Sequence, residues 1–320
     1  MKNVIKIIYD FIKVFEIFIL PFIFVSAIIL KTYRKIGSKN LPLTSKLLKK
    51  IGIFPIINHY YEPMFIYPKK TLERRDLPGI FFDIEDQLKL LKKLNYQNEF
   101  NDFVKNNKML NQEESFSINN GNFEEGDAEF LYGIIRYLKP SKIIEIGCGS
   151  STKIINHALN LNTNDNVISE HTCIEPYEQS WLNEYKNIKL IRSKVEDCEL
   201  DWSNILNEGD ILFIDSSHII RPNGDVLFEY LNILPQLKSG VIVHIHDIFT
   251  PNNYPNNWLN EDVLFFNEQY LLEVLLENKA RYKIYASLNY LKHKHFSELK
   301  EVCTFINYVS EPGSFYIKIN

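Results

Sequence analysis

The sequence predicts an α/β fold, a doubly wound and mostly parallel sheet, on three observations. From Leu138 onward, short apolar runs alternate with segments of helical period, the pattern that a parallel sheet with crossover helices imposes. The first run, Ile143-Ile144-Glu145-Ile146, breaks into Gly147-Cys148-Gly149-Ser150-Ser151-Thr152, which reads as strand, tight turn and helix start. The later runs end in or just before polar residues, and in open α/β sheets ligands sit at the carboxyl ends of strands.

The elements follow in chain order. Residues 1–36 differ from the rest: Ile17 to Leu30 carries no charge, contains Pro21, and is flanked by Lys13 and Glu16 before it and by Lys31, Arg34 and Lys35 after it. Fourteen uncharged residues are short for a membrane span, which needs about 20. A tilted span, a Pro-broken re-entrant or interfacial segment and a core helix compete. Membrane attachment is favoured by the apolar face between lysines, and bases on both sides suit a dip with both ends cytoplasmic. A cleaved signal peptide fits less well, because acids precede the apolar run.

Residues 37–125 mix turns, Lys, Asn and aromatics, as a cap or an extension packed on the core would. A helix is expected at Ile84 to Leu94. Residues 117–127 form a polar glycine loop containing Asn120 and Gly121, with Asp127 placed to cap a helix from Ala128 to Leu138. The remaining domain is 126–320. Its strands are expected at Lys142 to Ile146, Thr172 to Glu175, Ile188 to Ser193, Asp210 to Asp215 and Gly240 to Asp247. Helices fit between them at Thr152 to Leu161, capped by Ser151 or Thr152, and at Gln179 to Tyr185, Trp202 to Leu206 and Asp225 to Leu237.

The strand ends carry the candidate chemistry. Gly147 and Gly149 let a ligand approach the backbone. Glu175 closes the second strand 28 residues after Gly147, where an acid of a nucleotide-binding sheet accepts from ribose hydroxyls. Glu196, after the third strand, stands where a wall for an adenine ring would lie. Asp215-Ser216-Ser217-His218 follows the fourth strand and His244-Ile245-His246-Asp247 the fifth. His244 reads as a hydrogen-bonded core residue. Asp215, His218, His246 and Asp247 converge on one cleft, where a histidine serves as general base or where carboxylates and imidazole hold a divalent ion.

Several classes are excluded or disfavoured. With 36 Lys and Arg against 40 Asp and Glu the net charge is −4, so no global basic field invites nucleic acid. Cys148, Cys173, Cys198 and Cys303 have no metal-type spacing and read as reduced, mostly buried thiols. No P-loop or Gly-x-Ser-x-Gly elbow occurs. A nucleotide-dependent oxidoreductase would want a third glycine where this chain has Thr152.

Together Glu145-Ile146-Gly147-Cys148-Gly149-Ser150-Ser151-Thr152, Ile174-Glu175-Pro176, Gly209 to His218, and His244 to Phe249 followed by Tyr254-Pro255 resemble the class I S-adenosylmethionine-dependent methyltransferases. The similarity is narrowest to a bacterial branch with a His-x-His-Asp-Ile-Phe signature. It covers roughly residues 50 to 320, including His59-Tyr60-Tyr61-Glu62-Pro63 and Asn267-Glu268-Gln269-Tyr270. The resemblance implies a Rossmann-like, seven-stranded sheet, with two last strands near Arg281 to Ser287 and Ser314 to Ile319, the final one antiparallel. It implies S-adenosylmethionine as cofactor, held by Asn120, Gly121, Glu145, Gly147, Gly149, Ser151, Glu175, Glu196 and Asp215. His218, His246 and Asp247 become the catalytic candidates, and Asp215, His246 and Asp247 the candidate ligands of a magnesium or manganese ion. Several metal-assisted relatives have an acid where this chain has His246. The implied reaction is O-methylation of a glycan or other small-molecule acceptor at the cytoplasmic face of a membrane, for a bacterial chain the inner membrane. A non-catalytic scaffold of a surface-polysaccharide pathway is the alternative.

Overall fold

The computed structural model describes residues 2–57, 61–63, 75–107, 115–177, 180–185 and 187–320, which fall in two compact units, 1–68 and 69–320. In the first unit, helix α1 (Lys2–Ile36) runs through Pro21 without ending. The stretch Ile12–Ile36 is long and apolar enough to cross a membrane, about 38 Å at 1.5 Å per residue. The helix is therefore not broken at Pro21, and with Ile17, Phe18 and Phe22 all more than 70% exposed it is not a core helix. Gly37 at φ 93° and the turn Ser38–Asn40 redirect the chain into α2 (Pro42–Ile51), which Gly52 ends at φ 82°. His59 and Tyr60, part of the sequence resemblance, lie outside the described residues.

The second unit is built on a seven-stranded sheet: β1 (Lys142–Ile146), β2 (Glu170–Ile174), β3 (Ile188–Ile191), β4 (Ile211–Ile214), β5 (Ile242–Ile245), β6 (Tyr282–Ser287) and β7 (Phe315–Ile319), in the order β3-β2-β1-β4-β5-β7-β6. The first five strands run parallel to one another, and β7 is antiparallel to both of its neighbours, β5 and β6, as expected for the last strand. Order reverses at β1, between β2 and β4, so the crevice above that point is the place for a ligand.

Both sheet faces are covered, which explains why β1, β4 and β5 are buried and largely apolar on both faces rather than alternating. In β4, Ile211 and Phe213 join one core layer and Leu212 and Ile214 the other. The first layer is completed by α5 (Asp127–Leu138) and α6 (Ser150–Asn164). It also takes Leu90, Leu91, Phe100, Phe103 and Phe116 from the segment that contains α3 (Ile84–Leu91) and α4 (Gln97–Asn107). Part of 37–125 therefore packs as core.

Three helix expectations change. Trp202 to Leu206 is a turn whose two ends, Trp202 and Leu206, are buried in the core; the segment is too short to sustain a helix once both side chains are anchored. Only a 3₁₀ turn, Ser180–Glu184, stands in the 179–185 region, where Gln179 lies outside the described residues. The segment after Gly224 starts as α7 (Asp225–Phe228), widens to a π turn at Glu229–Ile233 and tightens to 3₁₀ at Leu234–Gln236. Pro235 has no N–H to continue the regular ladder, and Glu229 is buried with its carboxylate accepting from Ser216 Oγ at 3.1 Å.

Candidate active site

The glycine turn is fixed from both sides. Gly147 N–H donates to Ile174 O (3.0 Å) and Asp215 N–H to Ile146 O (2.9 Å), which ties the ends of β1, β2 and β4 together. Gly147 has φ 80°, and a Cβ there would stand 1.9 Å from the backbone oxygen of Asp215, so only glycine permits this approach. A Cβ on Gly149 would meet nothing within 4 Å. Helix α6 then begins beside the crevice, which Ser150 and Ser151 of its first turn line, and a helix start favours a polar or anionic group. The expected cap is different in detail: Gly149 occupies the capping position and Thr152 Oγ1 reaches back to Gly149 N–H at 3.1 Å.

Above the turn lie two connected cavities. One, of about 620 Å³, is lined by Gly121, Gly147, Gly149, Ser151, Glu175, Asp215, His246 and Asp247, with Phe123, Trp181, Trp258 and Phe266 as aromatic walls. The other, of about 230 Å³, is lined by Glu175, Tyr177, Lys194, Val195, Glu196, Asp215 and Arg221. Gly147, Glu175 and Asp215 border both. The Glu175 carboxylate is held in place by Cys148 N–H (3.1 Å) and Tyr177 N–H (2.8 Å), two donors that stabilise its ionised form.

Three residues expected at the site stand behind it. Glu145 is fully buried: its Oε1 accepts from Ser151 Oγ (2.7 Å) and Thr152 Oγ1 (3.0 Å), while Oε2 meets His171 Nε2 at 3.0 Å and Cys173 Sγ at 3.4 Å. Its lone pairs bind the chain's own groups, so it braces the glycine turn from below. Asn120 holds its loop, accepting from Asn122 and Phe123 N–H (3.0 and 2.9 Å), and leaves Gly121 to Phe123 to line the cavity. His218 borders neither cavity: Nδ1 is 2.8 Å from Glu268 Oε2, and Nε2 is 3.2 Å from Asp215 Oδ1 and 3.4 Å from Asp247 Oδ2.

His246 faces the larger cavity. Its Nδ1 lies 3.3 Å from Asp215 Oδ1 and 3.5 Å from Asp247 Oδ1, its Nε2 3.5 Å from Asp127 Oδ2, and the Phe123 ring packs 4.7 Å away. Both His218 and Asp247 have φ 57°, a left-handed backbone that non-glycine residues adopt at a cost and that concentrates at functional sites. Burial opposes charge on His246, but the negative Asp247 and Asp215, with hydrogen bonds to Asp127 and Asp215, overcome it and hold its pKa well above 6.5. For His218 burial is likewise outweighed, by the bonds to Asp215 and Glu268 and the charge of Asp247, and its pKa is also raised. Burial would raise Asp215, yet His246 and His218 hold it below the usual carboxylate range, whereas for Asp247 burial prevails and raises the pKa. His244 stacks on Tyr316 at 4.0 Å, bonds Ser314 Oγ at 2.8 Å, and is kept neutral by burial and by His246, a core residue as read from the sequence.

Two contributors that the sequence reading named gave no sign there of their role at the site. Asp127 is not a cap: Gly126 takes that position, and the Asp127 carboxylate accepts from Gly313 N–H (3.0 Å) and Ser314 N–H (2.7 Å) while facing His246. Glu268, at the start of α8 (Glu268–Leu276), is fully buried against His218. Nothing in its local sequence distinguishes it from a surface acid in a first helical turn.

One ligand atom from each of Asp215, His246 and Asp247 comes within 4.8 Å of the others. Two carboxylates and an imidazole are donors of the type that holds magnesium or manganese beside histidine-tolerant ions such as zinc, so the residues present fit a divalent cation.

A family model described as a methyltransferase domain matches residues 144–248, from the second residue of the first strand's apolar run to Ile248 after His246-Asp247. An uncharacterized protein of Archaeoglobus fulgidus is 31% identical over 182 residues, spanning 51% of this chain and 78% of its own length. Among solved structures, a Klebsiella pneumoniae protein assigned as an O-methyltransferase is 12% identical and covers 75% of this chain and 97% of its own, with a TM-score of 0.39. The O-methyltransferase from Bacillus cereus, in complex with S-adenosylhomocysteine, is 11% identical over 73% of this chain and 90% of its own, with a TM-score of 0.37. With the glycine turn, the Glu175 strand end and the His246-Asp247 end of β5 all inside the matched span, the chain belongs to the methyltransferase-domain family.

Proposed function

We propose that the chain transfers the methyl group of S-adenosylmethionine to a hydroxyl of a glycan or other small-molecule acceptor at a membrane surface. The observation that carries this reading is the meeting of two kinds of space at one set of residues. The cavities beside Gly147, Gly149 and Glu175 suit a nucleoside with a charged tail. A further cavity of about 420 Å³, lined by Asn122, Asn257, Trp258 and Ser310, shares His246 and Asp247 with the larger one.

The cradle fits the cofactor. Glu175, bordering both cofactor cavities, would accept from the ribose hydroxyls; the 230 Å³ cavity with Val195 and Glu196 would take the adenine; the open face of Gly149 and Ser151 would border the amino-acid tail. When bound, the sulfonium supplies an electrophilic methyl for in-line displacement. The chain's own work is positioning and deprotonation. His246, once its ring proton is lost, accepts the acceptor's hydroxyl proton, and Asp127, Asp215 and Asp247 orient the ring. His218, pinned by Glu268, holds the two aspartates. A magnesium or manganese ion at Asp215, His246 and Asp247 would supply Lewis acidity toward the same hydroxyl.

Helix α1 would attach the protein to the membrane, since its stretch Ile17 to Leu30 carries no charge, is largely exposed and is followed by bases. Titration calorimetry of S-adenosylmethionine into the full chain, with magnesium or manganese and again with chelator, tests the assignment. Micromolar binding is expected; a folded protein that binds in neither condition would refute it.

A further inference from the structure

Among the described residues, an apolar stripe of helix α2 has no partner. Leu43, Leu47 and Ile51 are 83, 57 and 59% exposed. At about 100° per residue they fall within an arc of about 80°. The stripe continues past the helix end through Ile53, Phe54 and Ile56, each more than 40% exposed. Lys50 flanks the stripe beside Leu43 and Lys46 and Lys49 stand on other sides of the helix, and every charged side chain from Ile17 to Ile57 is basic. A contiguous apolar stripe facing water is costly and marks an interaction surface.

The position of α2 is set by the end of α1. Tyr33, buried near that end, hydrogen-bonds Ser45 Oγ at 2.7 Å, and Ser45 in turn donates to Ser38 O at 2.7 Å. Ser45 lies about 160° around the helix from Leu47, so the face of α2 that is tied to α1 is opposite the apolar stripe. Arg34 pairs with Glu62 and covers the Phe54 ring at 4.6 Å. A short, rigid corner thus joins a helix long enough to cross a bilayer to an amphipathic helix with lysines on its polar side.

We infer that α2 is a second membrane element, an interfacial helix that lays Leu43, Leu47 and Ile51 into the headgroup boundary of an anionic leaflet while its lysines meet the lipid charge. The inference rests on the reading of α1 as the membrane segment. Two features argue for lipid over a protein partner: the wholly basic charge of the stretch, complementary to anionic headgroups, and its continuity with α1. The stripe would hold the chain flat to the surface just before the second unit begins, which suits an acceptor presented at a membrane.

The test is site-directed spin labelling of the full chain, reconstituted into phosphatidylcholine vesicles with and without phosphatidylglycerol. Labels are placed singly by Leu43→Cys, Lys46→Cys, Leu47→Cys, Lys49→Cys and Ile51→Cys, with Phe22→Cys as the marker for α1 and the unsubstituted chain as background. Collisional relaxation is compared for oxygen and for a water-soluble nickel chelate. At Leu43, Leu47 and Ile51 oxygen should dominate and at Lys46 and Lys49 nickel should, with the contrast larger when phosphatidylglycerol is present. Replacing Lys46, Lys49 and Lys50 together by Gln should shrink the phosphatidylglycerol effect without moving the Phe22 label. If Phe22 is in lipid but the stripe is reached by nickel, or is shielded from both relaxants as in a protein interface, the inference fails. If Phe22 itself is reached by nickel, the membrane reading of α1 fails with it.

Discussion

Two glycines two residues apart should respond oppositely to the same methyl group. In Gly147→Ala the new Cβ would sit 1.9 Å from the Asp215 backbone oxygen and 2.9 Å from its carbonyl carbon, with φ near 80°. A left-handed alanine costs about 1–2 kcal/mol. The clash is with backbone rather than a movable side chain, which adds about 1–3 kcal/mol of overpacking. Destabilisation of about 2–5 kcal/mol is expected, because relief requires parting the turn from the end of β4. In Gly149→Ala the Cβ meets nothing within 4 Å and φ is −166°, outside the left-handed region, so stability should fall by much less than in Gly147→Ala. If the cofactor passes over Gly149, however, the methyl occupies its path, and affinity should fall by about tenfold or more, the equivalent of about 1.4 kcal/mol. Denaturant unfolding reads the first quantity and titration calorimetry with S-adenosylmethionine the second. A Gly147→Ala protein as stable as the parent would refute the close approach of the turn to Asp215. A Gly149→Ala protein that binds normally would remove Gly149 from the cofactor path.

The other predictions concern the strand ends. Glu175→Ala should weaken cofactor binding by about 1–3 kcal/mol through loss of charged hydrogen bonds; unchanged calorimetric affinity would take Glu175 out of the site. His246→Ala should bind S-adenosylmethionine and fail to transfer its methyl, and an active variant in a radiolabelled transfer assay would end its role as base. Because the His246 pKa is raised, the neutral ring becomes more abundant as pH climbs above neutrality. Methyl transfer should therefore rise on the alkaline side, and a rate that falls there would exclude His246 as base. Stability should run the other way: the raised pKa of His218 contributes stability fully present below about 6.5, which is lost as pH rises through the folded-state value. Glu268→Gln should flatten that alkaline loss, as read by thermal unfolding across pH.

The sheet was legible because parallel strands buried on both faces are continuous apolar runs bounded by turns. β1 falls on Lys142–Ile146 as expected, and the other strands differ at their ends by a residue or two, where polar residues such as Glu175 and Asp215 leave the ladder to face the crevice. Helices were less legible where tertiary anchors decide. Trp202 and Leu206 are fixed by burial, and Pro235 with Glu229 turns one helix into three kinds of turn. At the site, the residues visible in the sequence are those next to glycines or at strand ends. The roles of Asp127 and Glu268 are not, because they come from partners far along the chain, Gly313 and Ser314 for one and His218 for the other. Glu145 misled for the complementary reason: its motif is genuine, but its carboxylate faces Ser151, Thr152 and His171.

A divalent ion held at Asp215, His246 and Asp247 would compete with the proton on His246 for one position. Nδ1 is the ring nitrogen that approaches Asp215 and Asp247, at 3.3 and 3.5 Å, and the carboxylates that would attract an ion are the ones that raise the ring's pKa. An ion liganded by that nitrogen must displace its proton, since a ligating imidazole is neutral. Binding of magnesium or manganese should therefore release close to one proton near neutral pH, and its affinity should rise as pH rises. Calorimetric titration of the ion in buffers of different ionisation enthalpy measures that release without any turnover. His246→Asn should bind the ion with the proton release abolished, if Asp215 and Asp247 suffice to hold it. Ion binding with no proton release in the parent chain would show that the ion leaves Nδ1 alone, and His246 would then keep its proton or serve as base independently of the metal.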